Sequence, residues 1–264
     1  MANSMFDLSG RHALVTGATG PLGRALAVAL AEAGANVSVT TLGHDRAQEV
    51  EANSILNECW SAGSKGAAKT VDLTSPPEVQ AAVADLEREF GPIDILVNAA
   101  HGANIKPVLE SSLADWMTEL NRNATSVFVA CHTVGKGMVE RGRGRIINLV
   151  SLLHDRGVPN CALFGASQGA VLGFSKSLAI EWGRGEPLVE DRVTVNSVII
   201  GFLEDVPGPQ NDPAVREVLE RYIPLRRLGN PKDLQGAVVY LASDRTNFVN
   251  GETLAVDGAI IHHA

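Results

Sequence analysis

The sequence predicts an α/β protein built on a doubly wound parallel sheet, with helices on both faces and a single domain over residues 1–264. Three observations lead there. Short apolar runs recur along the chain, longer helical patterns separate them, and a glycine-rich turn joins the first run to the first helix.

The runs are His12–Thr16, Asn36–Thr40, Asp94–Asn98, Arg145–Val150, Arg192–Val198 and Thr253–Val256. Each is short and aliphatic, as a strand covered on both faces requires. The first is followed by an apolar helix over Arg24–Ala33. A later segment shows the helix pattern in full: Ser75 is a capping residue and Pro76 and Pro77 suit a first turn. Val79, Val83, Leu86 and Phe90 then repeat at helical spacing, and Gly91 suits an end. Two further helices, over 124–138 and 162–182, are small and apolar. The stretch Phe202–Pro224, rich in proline and charge, is expected as a lid over a ligand at the carboxyl ends of the strands.

A net charge of -8 without any long basic run excludes the electrostatic footprint of a nucleic-acid or anionic-membrane partner. A small-molecule substrate or ligand is expected. Cys59, Cys131 and Cys161 have no paired or metal-type spacing, which fits a reducing compartment. With no apolar run of membrane length and no leader pattern at the start, the expected location is cytoplasmic. The histidines are scattered without ligand spacing, so no metal is expected.

Gly17, Gly20 and Gly23 lie between the first strand and its helix, where bare N–H groups and the positive helix end meet an anionic phosphate. The stretch Thr16–Gly23 resembles the Thr-Gly-x-x-x-Gly-x-Gly pattern of the short-chain dehydrogenase/reductase superfamily. Pro21 stands where that family has its middle glycine. Proline lacks an N–H and brings ring atoms toward the pyrophosphate, so a loop that turns correctly but binds phosphate weakly is expected. The resemblance continues through Val71–Leu73, like the adenine-contacting segment, which assigns Asp72. Asn98–Ala100 is similar to the family's Asn-Ala-Gly, Trp116 precedes Asn123 at the family's spacing, and Ile223–Pro231 and Val256–Gly258 close the match.

This resemblance implies a Rossmann-like fold, a dinucleotide cofactor and a homo-oligomer, a tetramer or dimer, packed through the 124–138 and 162–182 helices. The second strand ends without an aspartate for the adenosine ribose, which argues against NAD. Arg46 or His44 would meet a ribose phosphate, so NADP is favoured over NAD.

In the family a serine, an asparagine and a Tyr-x-x-x-Lys helix cooperate: tyrosine exchanges the proton, serine holds the substrate oxygen, and lysine lowers the tyrosine pKa and holds the nicotinamide ribose. Here the serine position matches Ser151 and the asparagine Asn123, while tyrosine falls on Phe164 and lysine on Gln168. No Tyr-x-x-x-Lys occurs elsewhere, since Tyr222 and Tyr240 are the only tyrosines. Phenylalanine has no titratable proton, and glutamine carries no charge to tune a neighbour.

The leading expectation is therefore a repurposed carbonyl or hydroxyl site with non-redox chemistry or ligand binding. One alternative is an NADP(H)-dependent ketone reductase whose proton comes from His154, His101 or water. Another is a catalytically inactive partner subunit. Phe164, His101 and Cys161 are expected to line the substrate pocket, with Gln168 toward the cofactor ribose.

Overall fold

The computed structural model describes residues 5–41, 45–100, 102–184, 192–206 and 208–263. Among the described residues seven parallel strands form one sheet: β1 (His12–Thr16), β2 (Asn36–Thr40), β3 (Ala68–Lys69), β4 (Ile95–Asn98), β5 (Gly144–Ser151), β6 (Val193–Ile200) and β7 (Thr253–Val256). Their order is β3-β2-β1-β4-β5-β6-β7, all pairs parallel. Six of them were expected. The seventh, β3, is a two-residue edge strand paired only through Val39 with Ala68 and Thr40 with Lys69, too short to show any periodicity.

Helices α1 (Pro21–Glu32), α2 (Arg46–Ser61), α3 (Pro76–Phe90), α4 (Leu113–Leu120), α5 (Ser126–Arg141), α6 (Ala162–Trp182), α7 (Pro213–Tyr222) and α8 (Gln235–Ala242) carry the crossovers and the carboxyl-terminal region. Strand alternation sorts the apolar side chains between them. Ala13, Val15, Ile95, Val97, Ile147, Leu149 and Val198 pack with Leu26 and Leu30 of α1, Ile55 of α2 and Val238 of α8. Their alternates, Leu14, Leu96, Ile146, Val150 and Val195, pack on the opposite face with Leu86 of α3, Val134 of α5 and Val171 of α6. Burying each such side chain contributes roughly 1.5–3 kcal/mol, which is why the central strands read as unbroken aliphatic runs.

Within α3, Ser75 holds the cap position but its side chain makes no cap bond. Glu78 of the first turn instead reaches back to accept from the Asp72 N–H at 3.0 Å. The chain runs from β1 outward to β2 and β3, then returns to β4, so neighbouring crossovers diverge and leave a crevice at the carboxyl ends of β1 and β4.

A third apolar cluster caps that end of the sheet. It joins Leu152, Leu153, Cys161 and Phe164 to Ile199, Phe202, Ile223, Leu228 and Ile260. The segment after β6 is thus partly folded down: a turn at Pro209–Asn211 precedes α7, and Phe202, Leu203, Val206 and Ile223 are buried. Buried Gln210 pins it by donating Nε2 to the Leu203 carbonyl at 3.0 Å and the Val206 carbonyl at 2.8 Å. Pro207 of the same segment lies outside the described residues. Among the described residues no helix is long and apolar enough to cross a membrane.

Candidate active site

The glycine turn after β1 is built for close approach. Gly17 and Gly20 have φ of 62° and 130°, in the left-handed range that favours glycine. A Cβ on Gly23 would lie 2.5 Å from the Ala18 Cα, so only glycine lets α1 pack against the turn. Pro21 is the exposed first residue of α1. At that position its missing N–H would have had no helical partner and its fixed φ suits the helix, so the loop turns correctly, as expected from the sequence. Two donors of the turn are occupied: the Gly20 N–H is met by Glu51 Oε1 of α2 at 2.9 Å, and the Thr19 hydroxyl donates to Gln48 Oε1 at 2.8 Å.

Behind the turn, the Asn98 side chain, expected at the cofactor, links neighbouring strands. Its amide donates to Asn148 Oδ1 at 2.8 Å and to Cys131 Sγ at 3.3 Å, and its oxygen accepts from the Thr16 hydroxyl at 3.1 Å. Asn148 continues the chain by donating to Ser175 Oγ at 2.8 Å, so one buried network ties β1, β4, β5 and α6 together. Asp72, exposed, accepts from the N–H and hydroxyl of Thr74 in a turn. Arg46 is exposed at the start of α2, while His44 and His101 lie outside the described residues.

At the end of β5, Ser151 is 9% exposed. Its backbone N–H donates to Gln168 Oε1 at 2.8 Å, and its Oγ accepts from the Leu153 N–H at 3.3 Å. The hydroxyl hydrogen has no acceptor among the described residues. Gln168, 2% exposed, therefore fixes the serine through the backbone. His154, half-buried three residues on, sets Nδ1 2.9 Å from the Ser151 carbonyl. A carbonyl only accepts, so Nδ1 carries a hydrogen and Nε2 is left as the ring nitrogen that can give or take a proton. Ser151, His154 and Gln168 are thus brought together.

Phe164 and Cys161, expected on the pocket wall, are 4% and 3% exposed within the cluster under the segment after β6. Burial first, then the Glu119 charge, raises the Cys161 thiol, so it is no ready nucleophile. Burial likewise pushes Cys59 up to about 11 and Cys131 up to about 12.

Asn123 sits in a π-helical turn, Asn121–Thr125, between α4 and α5. Its Nδ2 donates to the carbonyls of Gly102 and Glu119, both at 3.0 Å, and to Glu119 Oε1 at 3.1 Å. Its Oδ1 accepts from the Gly102 N–H at 3.0 Å. The amide is wholly engaged in holding the loop after β4. Glu119, 1% exposed, went unnoticed in the sequence. The signal that would have found it is its spacing of four from Asn123, which puts both on one helix face.

Against this geometry, the family model described as enoyl-(acyl carrier protein) reductase matches residues 17–259. The chain belongs to the short-chain dehydrogenase/reductase superfamily. The chain is 36% identical to D-threitol dehydrogenase of Mycolicibacterium smegmatis, covering 96% of this chain and 94% of that one. It is 34% identical to gluconate 5-dehydrogenase of Gluconobacter oxydans, over 97% and 96% of the two chains. In structure it matches a gluconate 5-dehydrogenase from Burkholderia cenocepacia in complex with NADP and tartrate, with a TM-score of 0.88, 31% identity and 100% of both chains covered. The expectation of a non-redox, ligand-binding or inactive site is overturned by these end-to-end matches to redox enzymes.

Proposed function

We propose that this dehydrogenase/reductase is a nicotinamide-dependent oxidoreductase, using NADP(H) in preference to NAD(H), that interconverts a secondary hydroxyl and a ketone on a small polyhydroxylated substrate. The substrate class rests on relatives named for threitol and gluconate, and the cofactor on the gluconate 5-dehydrogenase structure with NADP. The glycine turn fits a dinucleotide phosphate: nothing lies within 4 Å of where a Gly20 Cβ would point, and the first N–H groups of α1 have no carbonyl partner within the helix. Residues Gly17, Gly20 and Gly23 would hold it, with Glu51 giving up the Gly20 N–H. When bound, the nicotinamide supplies or accepts the hydride.

Phe164 and Gln168 stand at the family's tyrosine and lysine positions, so proton exchange falls to another group. Ser151 presents its hydroxyl hydrogen to the substrate oxygen. His154 serves as the acid and base: anchored at Nδ1 by the Ser151 carbonyl, it keeps Nε2 for the proton that leaves or enters that oxygen. That anchoring is the observation that carries the reading. The segment 202–224, pinned by Gln210, covers the substrate, and the protein works as a homo-oligomer.

The test is NADPH oxidation with keto derivatives of sugar acids and polyols, alongside NADPH titration by fluorescence. His154→Ala is expected to lower kcat by about 10²-fold or more with NADPH affinity kept. An unchanged kcat would remove His154 from the mechanism, and no NADPH binding would remove the redox reading.

A further inference from the structure

Glu119 is a buried ionisable group that the proposed chemistry does not use. It is 1% exposed on α4, and its Oε2 is buried with no hydrogen-bond partner. Oε1 accepts from Asn123 Nδ2 at 3.1 Å and from the Asn104 N–H at 3.4 Å. Through Asn123 it reaches both the N–H and the carbonyl of Gly102. The loop 102–104, which follows β4 at the crevice, is therefore held on α4 by one carboxyl and one amide.

The facing groups decide what charge that carboxyl carries. Arg122, on the adjoining turn, lies over Gly102: a Cβ there would meet its Cδ at 2.7 Å and its Nη1 at 3.1 Å. Its charge favours the carboxylate without bonding to it. From the start of α6 the facing group is the Cys161 thiol, and among the described residues the loop offers the Asn104 N–H. An ionised Glu119 would leave Oε2 as a buried anionic oxygen with no donor, whereas a neutral carboxyl leaves only a hydroxyl unmatched. Burial dominates the balance and raises this carboxyl above its ordinary range despite Arg122 and the two hydrogen bonds.

We propose that Glu119 is a positioning residue of this site: as a neutral acid it docks, through Asn123, the loop that walls the crevice after β4. The inference deepens the oxidoreductase reading and rests on it for its catalytic consequence. Ionisation draws in Arg122, the facing positive charge, whose departure from Gly102 loosens the loop. Catalytic competence then belongs to the protonated form and falls as pH rises.

The sign follows from linkage. The folded-state value lies above that of the unfolded chain, so the docking contribution is full below the ordinary carboxylate range and is lost as pH rises through the folded value. Glu119→Gln keeps the shape and the acceptor oxygen but cannot ionise.

The experiment compares wild type, Glu119→Gln and Glu119→Leu between pH 4 and pH 8, by thermal unfolding and by the pH profile of kcat/KM. Wild type is expected to lose Tm relative to Glu119→Gln as pH rises, and kcat/KM to fall about tenfold per pH unit above the ionisation, a limb absent in Glu119→Gln. Glu119→Leu, which lacks the acceptor, is expected to bind NADPH more weakly at every pH. Parallel Tm and kcat/KM profiles for wild type and Glu119→Gln would overturn the proposal. Should no variant turn over, the redox reading fails while the Tm comparison still decides the role of Glu119.

Discussion

Gln168 shows how one side chain acquires a different task when its partner is lost. In place of a lysine at the family position, an uncharged amide lends its carbonyl oxygen to the Ser151 N–H at 2.8 Å, and both residues are buried. The serine is thereby fixed from behind, while its own Oγ and carbonyl engage Leu153 and His154. Gln168→Leu is nearly volume-conserving but strands a buried donor, so it is expected to cost about 1–3 kcal/mol in urea unfolding and to weaken turnover with it. Unchanged stability would mean that the Ser151 N–H finds another acceptor. The Gln168 spacing from Phe164 was legible in the sequence, but the bond was not, because it joins residues 17 apart through the meeting of β5 and α6.

At the scale of elements, the approach of α1 to the turn after β1 depends on Gly23. A methyl group there would sit 2.5 Å from the Ala18 Cα and 2.8 Å from the Ala18 carbonyl oxygen, both rigid backbone. Gly23→Ala must push α1 away from the sheet. The expected result is a loss of about 1–3 kcal/mol and weaker NADPH binding, read by thermal unfolding and fluorescence titration. Full stability and affinity would show that the helix shifts at no cost. This element was well marked in the sequence, since a strand, a glycine turn and an apolar helix are local patterns. The π-helical turn around Asn123 was not, because the extra residue arises only where α4 and α5 pack beside the loop after β4.

For the molecule as a whole, two buried groups set opposite pH limits on stability. His12 is 2% exposed, with Nδ1 2.8 Å from the Gly91 carbonyl and Nε2 2.9 Å from Ser38 Oγ. Burial outweighs that hydrogen bond and the charges of Asp94 and Glu87, and holds His12 below its ordinary 6.5. Its contribution is therefore present above 6.5 and is lost as pH falls through the folded value, while Glu119 acts in the reverse sense. His12→Gln is expected to lower Tm at neutral pH yet flatten its decline toward acid; an acid limb of unchanged steepness would assign that limb to other groups.

The sequence by itself determined the architecture and the superfamily, because aliphatic runs, helical spacing and the glycine turn are encoded within short windows. It also fixed the absence of Tyr-x-x-x-Lys, which no folding restores. Only the tertiary structure decided that Pro21 is the first residue of α1, that Asn98 is spent between strands, and that Glu119 lies buried against Asn123. The physical reason is that a side chain's chemistry depends on its hydrogen-bond partners and its distance from water, and both are set by segments far apart in the chain.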